Sequence, residues 1–174
     1  MSGTTEIEHR PPDWAVILRR LTSWLVEDAF GGPRPWTLAW VINFQKAGTF
    51  LFVGFLIWYY DNHSVGAWVY LALHGSYGLV WLIKDFAFPD PAWQKPITIA
   101  GGINAFIGVL GWYWVFAWLL VSSVADPVYP LPEPAWYALC ISLCLIGSTI
   151  MMAADAQKFY TLRLKKGLIT DGLH

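Results

Sequence analysis

Charge is scarce in this sequence. Charged residues make up 13% of its 174 residues, whereas water-soluble domains carry about 25%. A conventional solvated surface is thereby excluded. Neither sign dominates what charge there is: 11 Lys and Arg face 12 Asp and Glu, for a net charge of -1. That balance offers no footprint for nucleic acid and no pull toward an acidic partner. Cysteine is nearly absent. The 2 copies, Cys140 and Cys144, lie four apart in an apolar run with no further metal ligands nearby. They read as packing side chains on one helix face and say nothing of redox compartment. Also missing are a Gly-rich phosphate loop, a Ser-His-Asp set and a paired-carboxylate site. The first 35 residues carry polar groups before any long apolar run begins. No cleavable signal peptide is therefore expected, and the first span should itself direct insertion.

What is abundant is apolar. Hydrophobic residues reach 56%, and there are 12 Trp, a residue that favours the bilayer interface, where its ring is buried and its N–H stays wet. Four apolar runs stand out: Trp36 to Tyr60, Val65 to Ile83, Ile97 to Val121 and Ala135 to Ala154. Each meets the roughly 20 residues that a helical crossing needs. The links between them are short, and those around Pro89-Asp90-Pro91 and from Asp126-Pro127 to Pro134 are proline-rich, which stops helices. Ahead of the spans, residues 14–30 place Trp14, Ile17, Leu18, Leu21, Trp24, Leu25 and Phe30 on one side and Arg20, Ser23 and Glu27 on the other. Too short to span and charged on one face, this segment reads as an interfacial helix lying on the membrane, or as an amphipathic helix packed on the protein's own loops. Gly31-Gly32-Pro33 ends it. The expectation is an all-α polytopic membrane protein: an N-terminal segment with its amphipathic helix over 1–34, a four-helix transmembrane domain over 35–158, and a basic tail over 159–174.

Sidedness follows from lysine and arginine. Arg10, Arg19, Arg20 and Arg34 precede the first span, Lys84 and Lys95 fall in the second link, and Lys158, Arg163, Lys165 and Lys166 follow the last. The first and third links have none, so ten of the eleven basic residues share one side. That side should be cytoplasmic, or its organelle equivalent, and it holds both termini.

Polar groups inside membranes are costly and mark functional candidates. The first span holds Asn43, Gln45 and Lys46. Asn43 and Lys46, three apart, share a face; they form either a polar pocket wall or a helix end at the headgroups, with Lys46 snorkelling. In the second span Tyr70, His74, Tyr77, Trp81 and Lys84 recur at spacings of 4, 3, 4 and 3, which lines them up on one stripe of a helix. A stripe that polar should face other helices or a cavity, and Gly75 and Gly78 beside it would permit close approach. His74 suits three roles: a hydrogen-bonding tie between helices, a cavity wall, or an axial ligand to a haem- or chlorophyll-type ring. No other metal site is expected. Asp155 and Gln157 sit at the inner end of the fourth span, where Asp155 could pair with Lys158 or Arg163.

Two segments carry a resemblance. Residues 153–174, AADAQKFYTLRLKKGLITDGLH, and the stripe 73–85, LHGSYGLVWLIKD, resemble parts of the steroid 5-alpha-reductase and isoprenylcysteine methyltransferase superfamily of polytopic membrane enzymes. The matched positions of the first segment are Asp155, Gln157, Lys158, Gly172 and Leu173. The resemblance implies a cavity for a lipid-like substrate, with Tyr77 or His74 as proton donor, and a cofactor such as NADPH or S-adenosylmethionine. Met151 stands where steroid reductases carry an Asn, and the family's cofactor-gripping residues would follow His174. Two function classes result. One is a non-catalytic subunit in a larger membrane complex of respiratory or photosynthetic type, in contact with lipids and other subunits and holding at most a lipid or pigment. The other is the front part of a lipid or steroid reductase or methyltransferase. The 174 residues as they stand favour the first. A small transporter is a weaker third reading, since no ion path is apparent.

Overall fold

Polar side chains start the helices. A computed structural model describes residues 12–125, 128–164 and 172–173. Helix α1 (Asp13–Ser23) runs into a π-helical turn, Trp24–Asp28. A two-residue strand β1 (Trp36–Thr37) precedes α2 (Leu38–Tyr59), followed by α3 (Val65–Ala87). Strand β2 (Pro96–Ile97) pairs antiparallel with β1, Trp36 opposite Ile97, and leads into α4 (Ile99–Val121). Helix α5 (Glu133–Leu164) is last. The side-chain oxygens of Thr37, Ser64 and Thr98 accept backbone N–H groups of the first turns of α2, α3 and α4, satisfying donors that the helix leaves orphaned. Helices α2 to α5 are each long and apolar enough to cross a bilayer.

The molecule is thus the expected all-α integral membrane protein with an N-terminal helix. Three boundaries move. Helix α3 continues past Ile83 to Ala87, which puts Lys84 in a helix rather than in a link. Helix α5 starts at Glu133, with Pro134 in its first turn, where the missing N–H costs nothing. It continues unbroken past Ala154 to Leu164 and so crosses the expected boundary at 158. The expectations for the polar residues 1–11, the Asp126-Pro127 turn, Lys165, Lys166 and His174 lie outside the described residues.

Helices α2, α3 and α4 form the packed unit. Toward the end of the bundle at Tyr59 and Val65, called outer here, Val53, Leu56 and Ile57 of α2 meet Ala67 and Leu71 of α3 and Ala117 and Val121 of α4. Toward the inner end Val41 and Ile42 meet Ile97 and Leu110. A Cβ at Gly78 would lie 2.1 Å from the backbone oxygen of Lys46, so only glycine lets α2 and α3 approach this closely. The π-helical turn Phe106–Leu110 interrupts α4 and offsets its outer half, carrying Tyr113, from its inner half. In contrast, α5 packs chiefly on α3, and none of its residues is buried.

The π turn after α1 docks on α4. Thr98 donates its N–H to Glu27 O and its hydroxyl to Ala29 O, and the Asn104 amide donates to Leu25 O. Helix α1 itself leaves its apolar face uncovered: Trp14, Ile17, Leu18 and Leu21 are all more than half exposed.

Candidate functional site

A cavity of about 670 Å³ lies between α3, α4 and α5. One wall is polar: Tyr70, His74 and Tyr77 of α3 and Tyr113 of α4. The opposite wall, on α5, offers Cys140, Leu143, Cys144 and Gly147. Within it the His74 ring stacks on Tyr70, centroids 4.1 Å apart. His74 is part of the cavity lining, and none of the hydrogen bonds found among the described residues involves its ring. No second histidine or carboxylate joins it, and no cluster of metal-ligating side chains occurs among the described residues. The two cysteines are free, and both line the cavity wall.

Lys46 stands behind this polar wall. Its ammonium lies over three rings, 4.2 Å from the centroid of Tyr113, 4.7 Å from Tyr77 and 5.5 Å from Trp81. The residue is 6% exposed, so it does not snorkel. None of the ion pairs found among the described residues includes it. A desolvated cation–π contact contributes about 2 kcal/mol, whereas removing an ammonium from water costs several kcal/mol. The rings therefore offset only part of the cost of burying the charge.

The rest of the stripe leads to the inner end. Trp81 stacks on Trp93, centroids 5.5 Å apart, and Lys84 places its ammonium 4.2 Å from the Trp93 ring centroid. Lys84 is 1% exposed and pairs with Asp155 at 3.4 Å. Asp155 thus pairs across to α3 and not with Lys158 or Arg163 on its own helix. Lys158 instead reaches Asp90 in the link after α3, at 2.7 Å. Asn43 donates to Asp85 at 2.7 Å, and Gln94 donates to the other oxygen of that carboxylate. These groups form a polar layer beneath the cavity. Beside it, Asp90, Asp155, Lys158 and Arg163 border a separate inner cleft of about 660 Å³.

Of the residues singled out in the sequence, then, Tyr70, His74 and Tyr77 share the main cavity, with Lys46 behind it. Trp81, Asn43 and Asp155 belong to the layer below. Gln157 lies apart: it is exposed, and its side-chain oxygen accepts the backbone N–H of Leu173. Sequence reasoning missed Tyr113, which sits in an aromatic run, GWYWVFAWLL, with rings on every face. It also missed the buried chain in which Trp114 donates to the Thr49 hydroxyl and Thr49 to the Gln45 carbonyl. Gln45 at spacing 4 from Thr49 was the available signal. No family model, curated protein or solved structure matches the chain.

Proposed function

We propose that the chain is the membrane-embedded part of a lipid-handling protein that admits a lipid-type molecule sideways from the bilayer into the α3–α4–α5 cavity. The observation that carries this reading is the cavity itself. It lies within the spans, apolar on α5 and lined with phenols and an imidazole on α3, and α5 is attached chiefly through α3. Such a site, apolar with a few convergent polar groups, is what an amphiphilic ligand needs. The resemblance of residues 73–85 and 153–174 to the reductase and methyltransferase superfamily points the same way. On that view His74 and Tyr77 are the groups placed to give a proton to a polarised substrate. Both termini lie on the cytoplasmic side, and the uncovered face of α1 rests at the inner membrane surface.

Photolabelling tests this. The protein, in lipid nanodiscs, would be irradiated with hexadecanol bearing a mid-chain diazirine, and the modified peptides mapped. Labels should concentrate on residues 140–148, and Gly147→Phe, which fills open space beside the cavity, should cut them about tenfold. Labelling spread evenly over the lipid-facing helices and indifferent to Gly147→Phe would overturn the proposal.

A second reading is favoured by α5, none of whose residues is buried. A non-catalytic subunit of a larger respiratory- or photosynthetic-type assembly would cover that helix with a neighbour. Native electrophoresis in mild detergent separates the two. A monomer that keeps its labelling supports lipid handling; a stable larger assembly whose α5 is shielded from labelling supports the subunit.

A further inference from the structure

We infer that Lys46 selects a single-chain lipid with an anionic headgroup, a carboxylate or a phosphate monoester, for the cavity. The inference rests on the lipid-handling reading and names the ligand's charge. Three observations carry it. First, Lys46 is 6% exposed as a residue, and none of the ion pairs or side-chain hydrogen bonds found among the described residues includes its ammonium. Second, two of the three rings that hold it, Tyr77 and Tyr113, are themselves cavity wall, so the charge lies directly behind the cavity's polar wall. Third, the acids of the neighbouring layer are already engaged: Asp85 by Asn43 and Gln94, Asp155 by Lys84.

The arrangement is selective as well as attractive. Ring faces present negative charge to a cation and hold it in place without neutralising it. An incoming anion would complete the pair in a medium that screens little, whereas a neutral alcohol would leave the ammonium as it is. A cationic headgroup would be repelled. The phenol hydroxyls of Tyr77 and Tyr113 could donate to the anion's remaining oxygens. The alkyl chain would then run along Leu143 and Gly147 of α5.

Three diazirine-bearing compounds test this in nanodiscs: palmitate, hexadecyl phosphate and hexadecanol. At equal concentration in the membrane, at least one anion should label residues 140–148 about tenfold more than hexadecanol, the scale of one charge-assisted hydrogen bond. Lys46→Met should reduce the anion to the hexadecanol level and leave hexadecanol labelling unchanged, which also reports that the cavity has survived. Lys46→Arg should retain the preference. Millimolar inorganic phosphate should fail to compete; if it displaces hexadecyl phosphate, the site is one for a free anion and the lipid class is wrong. Equal labelling by all three compounds in the wild type, a result that needs no variant, would overturn the charge selection and leave the lipid-handling reading intact. A preference that persists in Lys46→Met would remove Lys46 from the role. Absence of cavity labelling by any compound would take down both.

Discussion

Helix α3 meets α2 and α5 in opposite ways. Against α2 the backbones are so close that a methyl group at Gly78 has no room, with the Lys46 oxygen 2.1 Å from where it would sit. Against α5 the helices stand apart around a cavity, and a Cβ at Gly147 would meet nothing within 4 Å. The same residue type therefore does different work on the two sides. Glycine in α3 permits contact; glycine in α5 leaves space. In lipid, where burying apolar surface between helices brings no hydrophobic gain, close packing and a few polar contacts hold helices together. The α2–α3 side combines this packing with the hydrogen bond from Asn43 to Asp85. The α5 side relies on two ion pairs at its inner end, Lys84–Asp155 and Asp90–Lys158.

Four substitutions or conditions would break or sharpen that contrast. Gly78→Ala should have the largest effect, destabilising by about 3 kcal/mol because the obstruction is backbone and cannot rotate away. Thermal unfolding followed by size exclusion in detergent would read it. Lys84→Met comes next, since it leaves Asp155 without its partner. Asp155 is partly exposed, so a loss of about 2 kcal/mol is expected rather than the full cost of a buried orphan charge. Adding Asp155→Asn should recover most of it, and a double-mutant cycle measures the coupling.

A pH effect follows at the other pair. Burial pushes the Asp90 carboxyl up, but the hydrogen bond from Lys158, the Ala92 N–H and the nearby charges of Lys158 and Lys84 outweigh it and hold Asp90 below the usual carboxylate range. A carboxyl depressed in the folded state stabilises it above the unfolded value, about 3.9, and that contribution is lost as pH falls through the folded value. Attachment of α5 should thus be flat through neutral and mildly acidic pH and weaken only below about pH 4. Protease protection of the 159–164 segment across a pH series would show this, and Lys158→Met should weaken the attachment at neutral pH and flatten its dependence on acid. Smallest of all, Gly147→Leu should leave stability within about 0.5 kcal/mol of the wild type while it reduces cavity labelling. A large destabilisation there would mean that α5 is packed after all.

Much of this was legible in the sequence, for identifiable reasons. Bilayer thickness sets a length that hydropathy reports directly, so the four spans were plain. The stripe Tyr70–His74–Tyr77–Trp81–Lys84 was visible because polar residues on an apolar helix leave a clean period. Its division into a cavity wall and an inner layer was not visible, since that depends on where α5 diverges. Tyr113 was hidden because Trp112 and Trp114 flank it and give its helix no polar face, and because a π turn shifts the register just before it. The Lys84–Asp155 pair joins residues far apart in sequence, and Asp155 had nearer cations to choose from, Lys158 and Arg163. The extension of α5 escaped because hydropathy falls after Ala154, although the residues that follow are good helix formers.

The length of α5 has a consequence for how it is held. Its 32 residues rise about 48 Å, some 18 Å more than the roughly 30 Å of hydrocarbon. The helix is thus longer than the hydrocarbon is thick, and its last residues continue past the ion pair at Asp155. Asp155 and Lys158 anchor it near one end, while Cys144, Leu143 and Cys140 of the cavity wall lie toward the other. The cavity wall is therefore the unburied stretch of a helix whose ion pairs lie toward its other end.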